Sequence, residues 1–288
     1  MNAPCHVEMP GTVESCAVFA SPHSARVYPP DLLMRSVLDQ RALRSSEDAY
    51  VDLLVQAAPA LGAPLLLGGV PRAYVDVNRA AGELDPALID GVPRGVLNPR
   101  VASGLGVIPR VVAGGRAIYR GKLTRAEAER RIAAFWVPYH DTLSQLLSAQ
   151  RERFGTAILL DMHSMPHEAI AGHARRGQPA PQVVIGDRFG ASAAPGLVAA
   201  VEGIFAATGL RVARNTPFAG AYVAQTYGRP AQGQHVIQIE IDRALYLDER
   251  RVEPHVGFDA FRALMDEVTA ALAALGRAGL AAQPLAAE

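Results

Sequence analysis

The chain has little cysteine and no excess of charge of either sign. Only Cys5 and Cys16 occur among its 288 residues, so a disulfide framework is excluded and we expect a cytoplasmic protein. Its 28 basic and 28 acidic residues give a formal net charge of zero, and no basic block stands out. Charge-driven binding to nucleic acid or membrane lipid therefore has no support, and we expect a small-molecule ligand.

Long hydrophobic runs and targeting features are also missing. No segment approaches the roughly 18 consecutive apolar residues that a membrane-spanning helix needs. The N-terminus lacks the basic region and apolar stretch of a signal peptide. Because the sequence shows neither an internal repeat nor an interdomain linker, we expect one domain over residues 1–288, with residues 1–14 and 276–288 as peripheral tails.

Strand-like and helix-like segments alternate along the chain, which predicts an α/β domain with a mixed central sheet flanked by helices. Apolar runs predict strands at residues 16–20, 65–67, 73–77, 157–160 and 235–241. Capping residues and helical spacing predict helices over residues 31–38, from 45, from 124 to about 154 with a kink at Pro138, over 195–208 and from about 258 to 275. Residues 82–116 and 167–182 are rich in glycine and proline, which is typical of functional loops.

Two of the predicted strands lead into a short segment that contains a histidine followed by a serine. Residues 21–24 read Ser-Pro-His-Ser and include His23, and residues 161–164 read Asp-Met-His-Ser and include His163. Such positions, just past the carboxyl ends of strands, are where open α/β sheets bind ligands. A single histidine there is more often structural, but the pair predicts a metal site built from distant parts of the chain.

A third ligand is needed, because catalytic zinc sites have three protein ligands and leave one position for water. Asp48 and Asp52 are the nearest candidates to His23, and their spacing places them on one face of the predicted helix. The alternative is that Asp48 stabilises the helix N-terminus and that Asp52 is solvated. Asp161 is a candidate for a different role, that of orienting the imidazole of His163.

The strand at 235–241 has three isoleucines on one face and Gln238 and Glu240 on the other. A strand this apolar belongs inside a sheet, where a glutamate is costly unless it is paired or used. A glutamate beside a metal and a water molecule is the usual general base: it takes a proton from the water and passes it to the leaving amine. The alternative is a structural ion pair with an arginine.

The segment at residues 71–79 carries two arginines and an asparagine around the predicted strand at 73–77. Arg72 and Asn78 share one face of this strand, and Arg79 begins the turn beyond it. Arginine binds a carboxylate through paired donors, and a guanidinium also stabilises a developing oxyanion. The alternative is a surface strand with solvated charges.

A serine hydrolase is the other chemistry that the histidine segments bring to mind, since Ser24 and Ser164 adjoin the two histidines. Neither serine lies in a G-x-S-x-G turn. A neighbour in sequence is also rarely the neighbour in space that a nucleophile needs. The sequence therefore disfavours this class.

Taken together, these segments resemble the N-formylglutamate amidohydrolase family. The resemblance runs in order from about residue 16 to residue 250. It rests on SPHS at 21–24, SEDAYVD at 46–52, PRAYVDVNR at 71–79, GLGVIPR at 104–110, WVPYH at 136–140, DMHS at 161–164, YGRP at 227–230, HVIQIE at 235–240 and YLDE at 246–249. It implies a fold similar to zinc carboxypeptidases and aspartoacylase, with one divalent metal.

The resemblance also implies roles for particular residues in the metal site. His23 and His163 would bind the metal. The ligand types favour zinc, although such a site also accepts cobalt, manganese or iron. Zinc carboxypeptidases have a glutamate three residues after the first histidine, where this chain has Arg26. The acidic residues at 46–52 must then provide the third ligand, with Asp48 preferred to Glu47 or Asp52.

On the substrate side, the resemblance implies that Glu240 is the base and that Arg72 polarises the scissile carbonyl. Asn78 and Arg79 would hold the substrate carboxylate, and Tyr222 is a looser candidate for lining the pocket. The family's namesake reaction converts N-formyl-L-glutamate to formate and L-glutamate, the last step of one route of histidine degradation.

Two alternative functions remain open at this point. The first keeps the chemistry but acts on another N-acyl amino acid or a short peptide, with specificity set by residues 82–116 and 167–190. The second is a non-catalytic protein that binds a metal or an acidic metabolite for regulation.

Overall fold

A seven-stranded sheet forms the centre of the computed structural model, which describes residues 3–93, 98–174 and 179–277. The strands along the chain are β1 (Cys5–Glu8), β2 (Ala17–Ser21), β3 (Leu65–Gly68), β4 (Val111–Val112), β5 (Arg116–Ala117), β6 (Ala157–Met165), β7 (Val183–Gly186), β8 (Val212–Arg214), β9 (Gln234–Asp242), β10 (Leu247–Asp248) and β11 (Glu253–Pro254). The large sheet has the order β1-β3-β2-β6-β9-β7-β8, and the pairs β4–β5 and β10–β11 lie outside it.

The four central strands, β3, β2, β6 and β9, run parallel to one another. The edges of the sheet differ, because β1 is antiparallel to β3 and β7 is antiparallel to β9. The predicted mixed sheet is therefore confirmed, while the closer likeness to zinc carboxypeptidases stays a prediction. Parallel strands end at one edge of the sheet, so the segments after β2, β6 and β9 meet there.

Helices cover both faces of the sheet. They are α1 (Pro30–Arg35), α2 (Gln40–Arg44), α3 (Val51–Leu54), α4 (Pro99–Ala102), α5 (Arg125–Arg131), α6 (Val137–Phe154), α7 (His167–Ala171), α8 (Pro195–Ala207), α9 (Tyr222–Tyr227) and α10 (Phe258–Arg277). A π-helical segment, Ile132–Trp136, joins α5 to α6, so the irregularity expected at Pro138 lies just before that residue. No helix among these described residues is both long and apolar enough to cross a membrane.

The core is divided by the sheet into two layers. Residues of α3, α8 and α10 pack on one face, against the isoleucines of β9. Residues of α6 and α9 pack on the other face, against Val18, Leu159 and Val236. Because both faces are covered, the central strands are rich in apolar residues, which is why the sequence predicts β2, β6 and β9, although β6 extends past its predicted end to Met165.

The predicted strand at residues 73–77 is wrong. These residues form turns, and the amide of Asp76 donates to the carbonyl of Val107 instead of to a strand. Tyr74 belongs to a separate hydrophobic core, which is formed by side chains from residues 28–132. Val77 instead packs with the side chains of α6. The apolar run therefore reflects burial in these two cores and not a strand.

The helix predicted from residue 45 begins only at Val51. Tyr50 precedes it with a φ of 65°, a left-handed conformation that stops a helix from extending backwards. Asp48 therefore lies outside the helix, where its amide donates to the carbonyl of His23. The prediction that Asp48 and Asp52 share a helical face is wrong.

Both predicted tails are partly incorporated into the fold. Residues 5–8 form the edge strand β1, although they were expected to be peripheral. Helix α10 continues to Arg277, and the carbonyl of Gly276 accepts from the amide of Cys16. Residues 278–288, the rest of the predicted C-terminal tail, lie outside the described residues.

Candidate active site

The two histidines of the predicted metal site meet at the carboxyl edge of the sheet. His23 follows β2 by two residues, and its segment passes so close to β3 that a Cβ on Gly68 would lie 2.1 Å from the carbonyl oxygen of Pro22. His163 lies within β6, which continues to Met165 instead of ending at residue 160. The ring centroids of the two histidines are 5.1 Å apart.

Asp48 completes a cluster with these histidines. Its Oδ2 lies 2.8 Å from Nδ1 of His163 and 3.3 Å from Nδ1 of His23. The three ligand atoms are all within 4.8 Å of one another, and the three residues are buried. Two imidazoles and one carboxylate are a donor set that suits catalytic zinc, so the residues present fit a single divalent metal.

Two further carboxylates support the imidazoles from the opposite side. Asp76 Oδ1 lies 2.9 Å from Nε2 of His23. Asp161 Oδ2 lies 3.0 Å from Nε2 of His163, in an ionic contact that lacks hydrogen-bond geometry. A carboxylate on the outer nitrogen fixes the ring and raises the basicity of the nitrogen that binds metal. Sequence analysis proposed this role for Asp161, but it missed Asp76.

The electrostatics of the cluster match a site that exchanges protons for a metal. Burial opposes the charge on Asp48, but hydrogen bonds with His163 and His23 hold the pKa of Asp48 well below its usual range. Burial likewise lowers the pKa of His163, yet Asp161 and Asp48 outweigh it and raise that pKa well above the usual value. Because metal ligands must be deprotonated, a metal bound at this cluster would release the proton that the raised pKa of His163 favours.

Glu240 stands beside the cluster, paired in register with His163 across β6 and β9. Within the described parts of the chain it makes no ion pair with an arginine; its Oε1 accepts from Nε2 of Gln238 at 2.9 Å. Burial, aided by the charge of Asp48, raises the pKa of Glu240 to about 7, against the lowering by His163. A carboxylate with such a pKa can accept and return a proton near neutral pH.

The turn at residues 71–80 brings together Arg72, the predicted carbonyl-polarising residue, and Asn78 and Arg79, the predicted substrate-binding residues. Arg72 donates to Asp76 Oδ2 at 2.8 Å, and its Nη1 lies 3.8 Å from Oδ1 of Asp48. Asn78 is buried, and its Nδ2 lies 3.4 Å from Nε2 of His163. Arg79 is also buried, and desolvation lowers the pKa of its guanidinium. A buried cation of this kind favours an anionic ligand.

A cavity of about 670 Å³ opens onto these groups. His23, His163, Glu240, Arg72, Asn78 and Arg79 all line it. Residues 100–115 form part of its wall, as predicted for the 82–116 region, but none of the described residues in 167–190 lines it. Residues 217–221 take that place instead.

Tyr222 is not among the residues that line the cavity. Its ring lies 5.7 Å from that of Trp136 and 5.4 Å from that of His140, in the layer beneath the site. The prediction that Tyr222 lines the pocket is therefore wrong: the backbone leading into α9 reaches the cavity, and the first side chain of that helix turns away.

Arg243, which was not predicted as a site residue, lies three residues after Glu240 and lines the cavity. This buried arginine donates from Nη2 to Oδ1 of Asp48 at 3.1 Å and from Nε to Oγ of Ser164 at 3.0 Å. Asp48 is therefore held through one oxygen while the other faces the histidines. The signal was an arginine at the end of an apolar strand, next to a glutamate already singled out.

A clamp formed by Trp136 and His140 was also missed, although the motif at 136–140 contains both residues. Nε1 of Trp136 donates to the carbonyl of Arg79 at 2.9 Å, and Nε2 of His140 lies 2.8 Å from the carbonyl of Val77. These carbonyls are on either side of Asn78. Burial lowers the pKa of His140 to about 4, so the neutral ring donates from Nε2 and accepts from Tyr227 at Nδ1.

The fold and the site define an α/β protein with a buried His-Asp-His cluster, which could hold a metal ion, at the carboxyl edge of its sheet. A sequence profile of the N-formylglutamate amidohydrolase family matches residues 15–247. The chain belongs to that family, and the predicted resemblance is confirmed.

Relatives of known name agree with this assignment. The chain is 30% identical over 265 residues to the N-formylglutamate deformylase of Pseudomonas aeruginosa. This alignment covers 90% of this chain and 93% of the relative. It is 28% identical over 222 residues to the N-formylglutamate deformylase of Pseudomonas putida, covering 76% and 77% of the two chains. The crystal structure of N-formylglutamate amidohydrolase from Ralstonia eutropha JMP134 superposes with a TM-score of 0.89 at 35% identity, covering 96% of this chain and 100% of that chain.

Proposed function

We propose that this protein is a metal-dependent amidohydrolase that cleaves N-formyl-L-glutamate to formate and L-glutamate. The observation that supports the proposal is that His23, His163, Glu240 and several arginines line one cavity in a member of this family, with Asp48 in contact with both histidines. Two free cysteines suit a reducing compartment, so we propose that the reaction takes place in the cytoplasm, as a step of histidine degradation.

His23, Asp48 and His163 would hold the metal, and zinc is the first choice for this donor set. When bound, the metal would act as a Lewis acid that makes water more acidic and polarises the substrate carbonyl. Asp76 and Asp161 would keep the two imidazoles oriented toward it, and Arg243 would fix the carboxylate of Asp48.

Glu240 would move the proton in both halves of the reaction. It takes a proton from water as the oxygen attacks the formyl carbon, and it gives that proton to the amide nitrogen as the carbon–nitrogen bond breaks. Burial and a pKa near neutrality support this role, because the carboxylate must act as a base first and as an acid second. Gln238 keeps its carboxylate in place.

The arginines would complete the site. Arg72 lines the cavity next to Asp48, so its guanidinium is placed to stabilise negative charge on the formyl oxygen as the carbon becomes tetrahedral. Arg79 and Asn78 would bind the carboxylate next to the amide, which aligns the small formyl group with the base. The clamp from Trp136 and His140 would hold both residues in position.

Formate release from a panel of N-formyl amino acids tests the proposal and separates it from the alternatives. We expect the zinc-loaded protein to release formate fastest from N-formyl-L-glutamate. The Glu240→Gln variant, at equal zinc content, should release formate more slowly by about 100-fold or more. Faster release from another N-acyl amino acid would identify that compound as the better substrate and contradict the assignment of N-formyl-L-glutamate. No release from any member of the panel would favour a binding protein.

A further inference from the structure

The cavity contains more positive charge than its metal-binding and proton-transfer roles require. Four arginines line it: Arg72, Arg79, Arg100 and Arg243. Two of them are paired with carboxylates of the site, Arg72 with Asp76 and Arg243 with Asp48. The other two have no carboxylate of this kind, within the residues that the structure describes.

Arg79 and Arg100 are the two arginines that lack such a partner. Arg79 donates only to backbone carbonyls, those of Leu105 and Asn78, both at 3.0 Å. The guanidinium of Arg100 has no hydrogen bond or ion pair with any described residue, and its backbone carbonyl accepts from the amide of Leu105. The nearby charge of Asp76 eases the burial of Arg79, but Asp76 is already bonded to Arg72 and to His23.

The two unpaired guanidinium groups are close enough to affect each other. The charge of Arg100 disfavours the charged form of Arg79, in addition to the larger effect of burial. Asp76 and Glu83 offset part of this repulsion at Arg79, but no carboxylate of the described residues makes an ion pair with either guanidinium. A ligand with one anionic group would neutralise only one of them. A ligand with two carboxylates would neutralise both.

Arg100 is also positioned by a defined local structure. It lies in α4, whose first residue is Pro99 and whose N-terminal cap is Asn98, with Oδ1 accepting from the amide of Val101 at 2.9 Å. Arg100 is exposed to solvent, whereas Arg79 is buried, and both line the same cavity. The two cations therefore differ in their access to solvent.

We infer that Arg100 binds the second carboxylate of a dicarboxylate substrate and thereby selects N-formyl-L-glutamate over neutral analogues. The carboxylate next to the amide lies deep, on Arg79, and the side-chain carboxylate extends outward to Arg100. This assignment rests on the proposed function for the identity of the substrate. Charge-assisted arginine–carboxylate bonds are the strong, directional contacts that such selection needs.

The test compares N-formyl-L-glutamate with N-formyl-L-glutamine, which has an amide in place of the side-chain carboxylate. We expect the zinc-loaded wild type to prefer glutamate by about 10-fold or more in kcat/KM, as expected for loss of one charged hydrogen-bonding contact. Arg100→Gln should remove most of this preference by raising KM for glutamate, with kcat and the rate on glutamine changed less than about twofold. Arg100→Lys should keep part of the preference.

Arg41→Gln is the matched control, because Arg41 is an exposed arginine on the short helix α2 and does not line the cavity. It should leave both substrates unaffected. Equal losses on both substrates in Arg100→Gln, or an unchanged preference, would overturn the inference. So would a wild type that cleaves the two substrates equally well, although the proposed function would then stand.

A binding measurement separates this inference from the proposed function. Calorimetry on the zinc-loaded protein compares glutarate, a dicarboxylate, with its monoamide. Tighter binding of glutarate, lost in Arg100→Gln and kept in Arg41→Gln, would support the inference even if no formyl substrate were cleaved. Equal binding of the two probes, or no binding of glutarate, would overturn it.

Discussion

At the scale of single residues, the site is organised around the carboxylate of Asp48. Its Oδ2 faces both imidazoles and its Oδ1 accepts from Arg243, so the side chain is oriented from two sides. Sequence alone did not separate Asp48 from Glu47 and Asp52, because all three are acids in one short segment. The backbone decides between them: Glu47 bonds Tyr28, Asp52 pairs with Arg26, and only Asp48 reaches the histidines.

Asp48→Asn should lose metal binding while Asp52→Asn keeps it. Removing a ligand costs more affinity than removing a residue that only orients one, for which the loss is about 10- to 100-fold. Elemental analysis after equilibration with buffered zinc measures the metal content of each folded variant. Equal zinc content in the two variants would contradict the assignment of Asp48.

At the scale of elements, the strands were predictable and the turn that carries the arginines was not. β6 and β9 contain apolar runs interrupted by His163 and by Gln238 and Glu240 at the site, so these polar residues stand out in sequence. Residues 71–80 have no regular structure. They are held by a hydrogen bond from the amide of Asp76 to the carbonyl of Val107 and by the clamp from Trp136 and His140. Such long-range bonds leave no local pattern to read.

The clamp predicts a pH dependence of stability. The pKa of His140 is about 4 in the folded protein and about 6.5 in an unfolded chain, so between these values the unfolded state binds more protons. Stability that is present above pH 6.5 should therefore be lost as the pH falls toward 4, by up to about 3 kcal/mol from this residue. Urea unfolding at a series of pH values measures this fall.

His140→Gln is the informative variant for this effect. It should be less stable than wild type near pH 7, because its side chain cannot make both hydrogen bonds, but it should lose less stability on acidification. His6→Gln changes an exposed position of β1, so this variant should lose as much stability on acidification as the wild type does. An acid-induced loss that is identical in all three proteins would contradict a buried, neutral His140.

At the scale of the whole molecule, the cavity is built from two parts with different foundations. The sheet provides the metal ligands and Glu240, while the irregular region over residues 70–123 provides Arg72, Arg79 and Arg100. That region has its own core, which includes Leu32, Leu43, Leu88, Ile108 and Ile118. Each such side chain contributes about 1.5–3 kcal/mol on burial, so the irregular wall is anchored by packing even without strands.

The sequence predicted the half of the cavity that rests on the sheet better than the other half. Apolar runs and the residues that interrupt them revealed the positions of His23, His163 and Glu240. The irregular half depends on which side chains of residues 70–123 turn inward, and glycine- and proline-rich composition does not determine that. Cavity residues such as Arg100 became visible only in the folded chain.

Metal reconstitution tests the central claim, hydrolysis at the His23–Asp48–His163 site, most directly. Protein stripped by a chelator receives zinc in steps while formate release from N-formyl-L-glutamate and bound zinc are both recorded. We expect no turnover without metal and a linear rise in rate that ends at one zinc per chain. Undiminished formate release by protein that elemental analysis finds free of metal would contradict it.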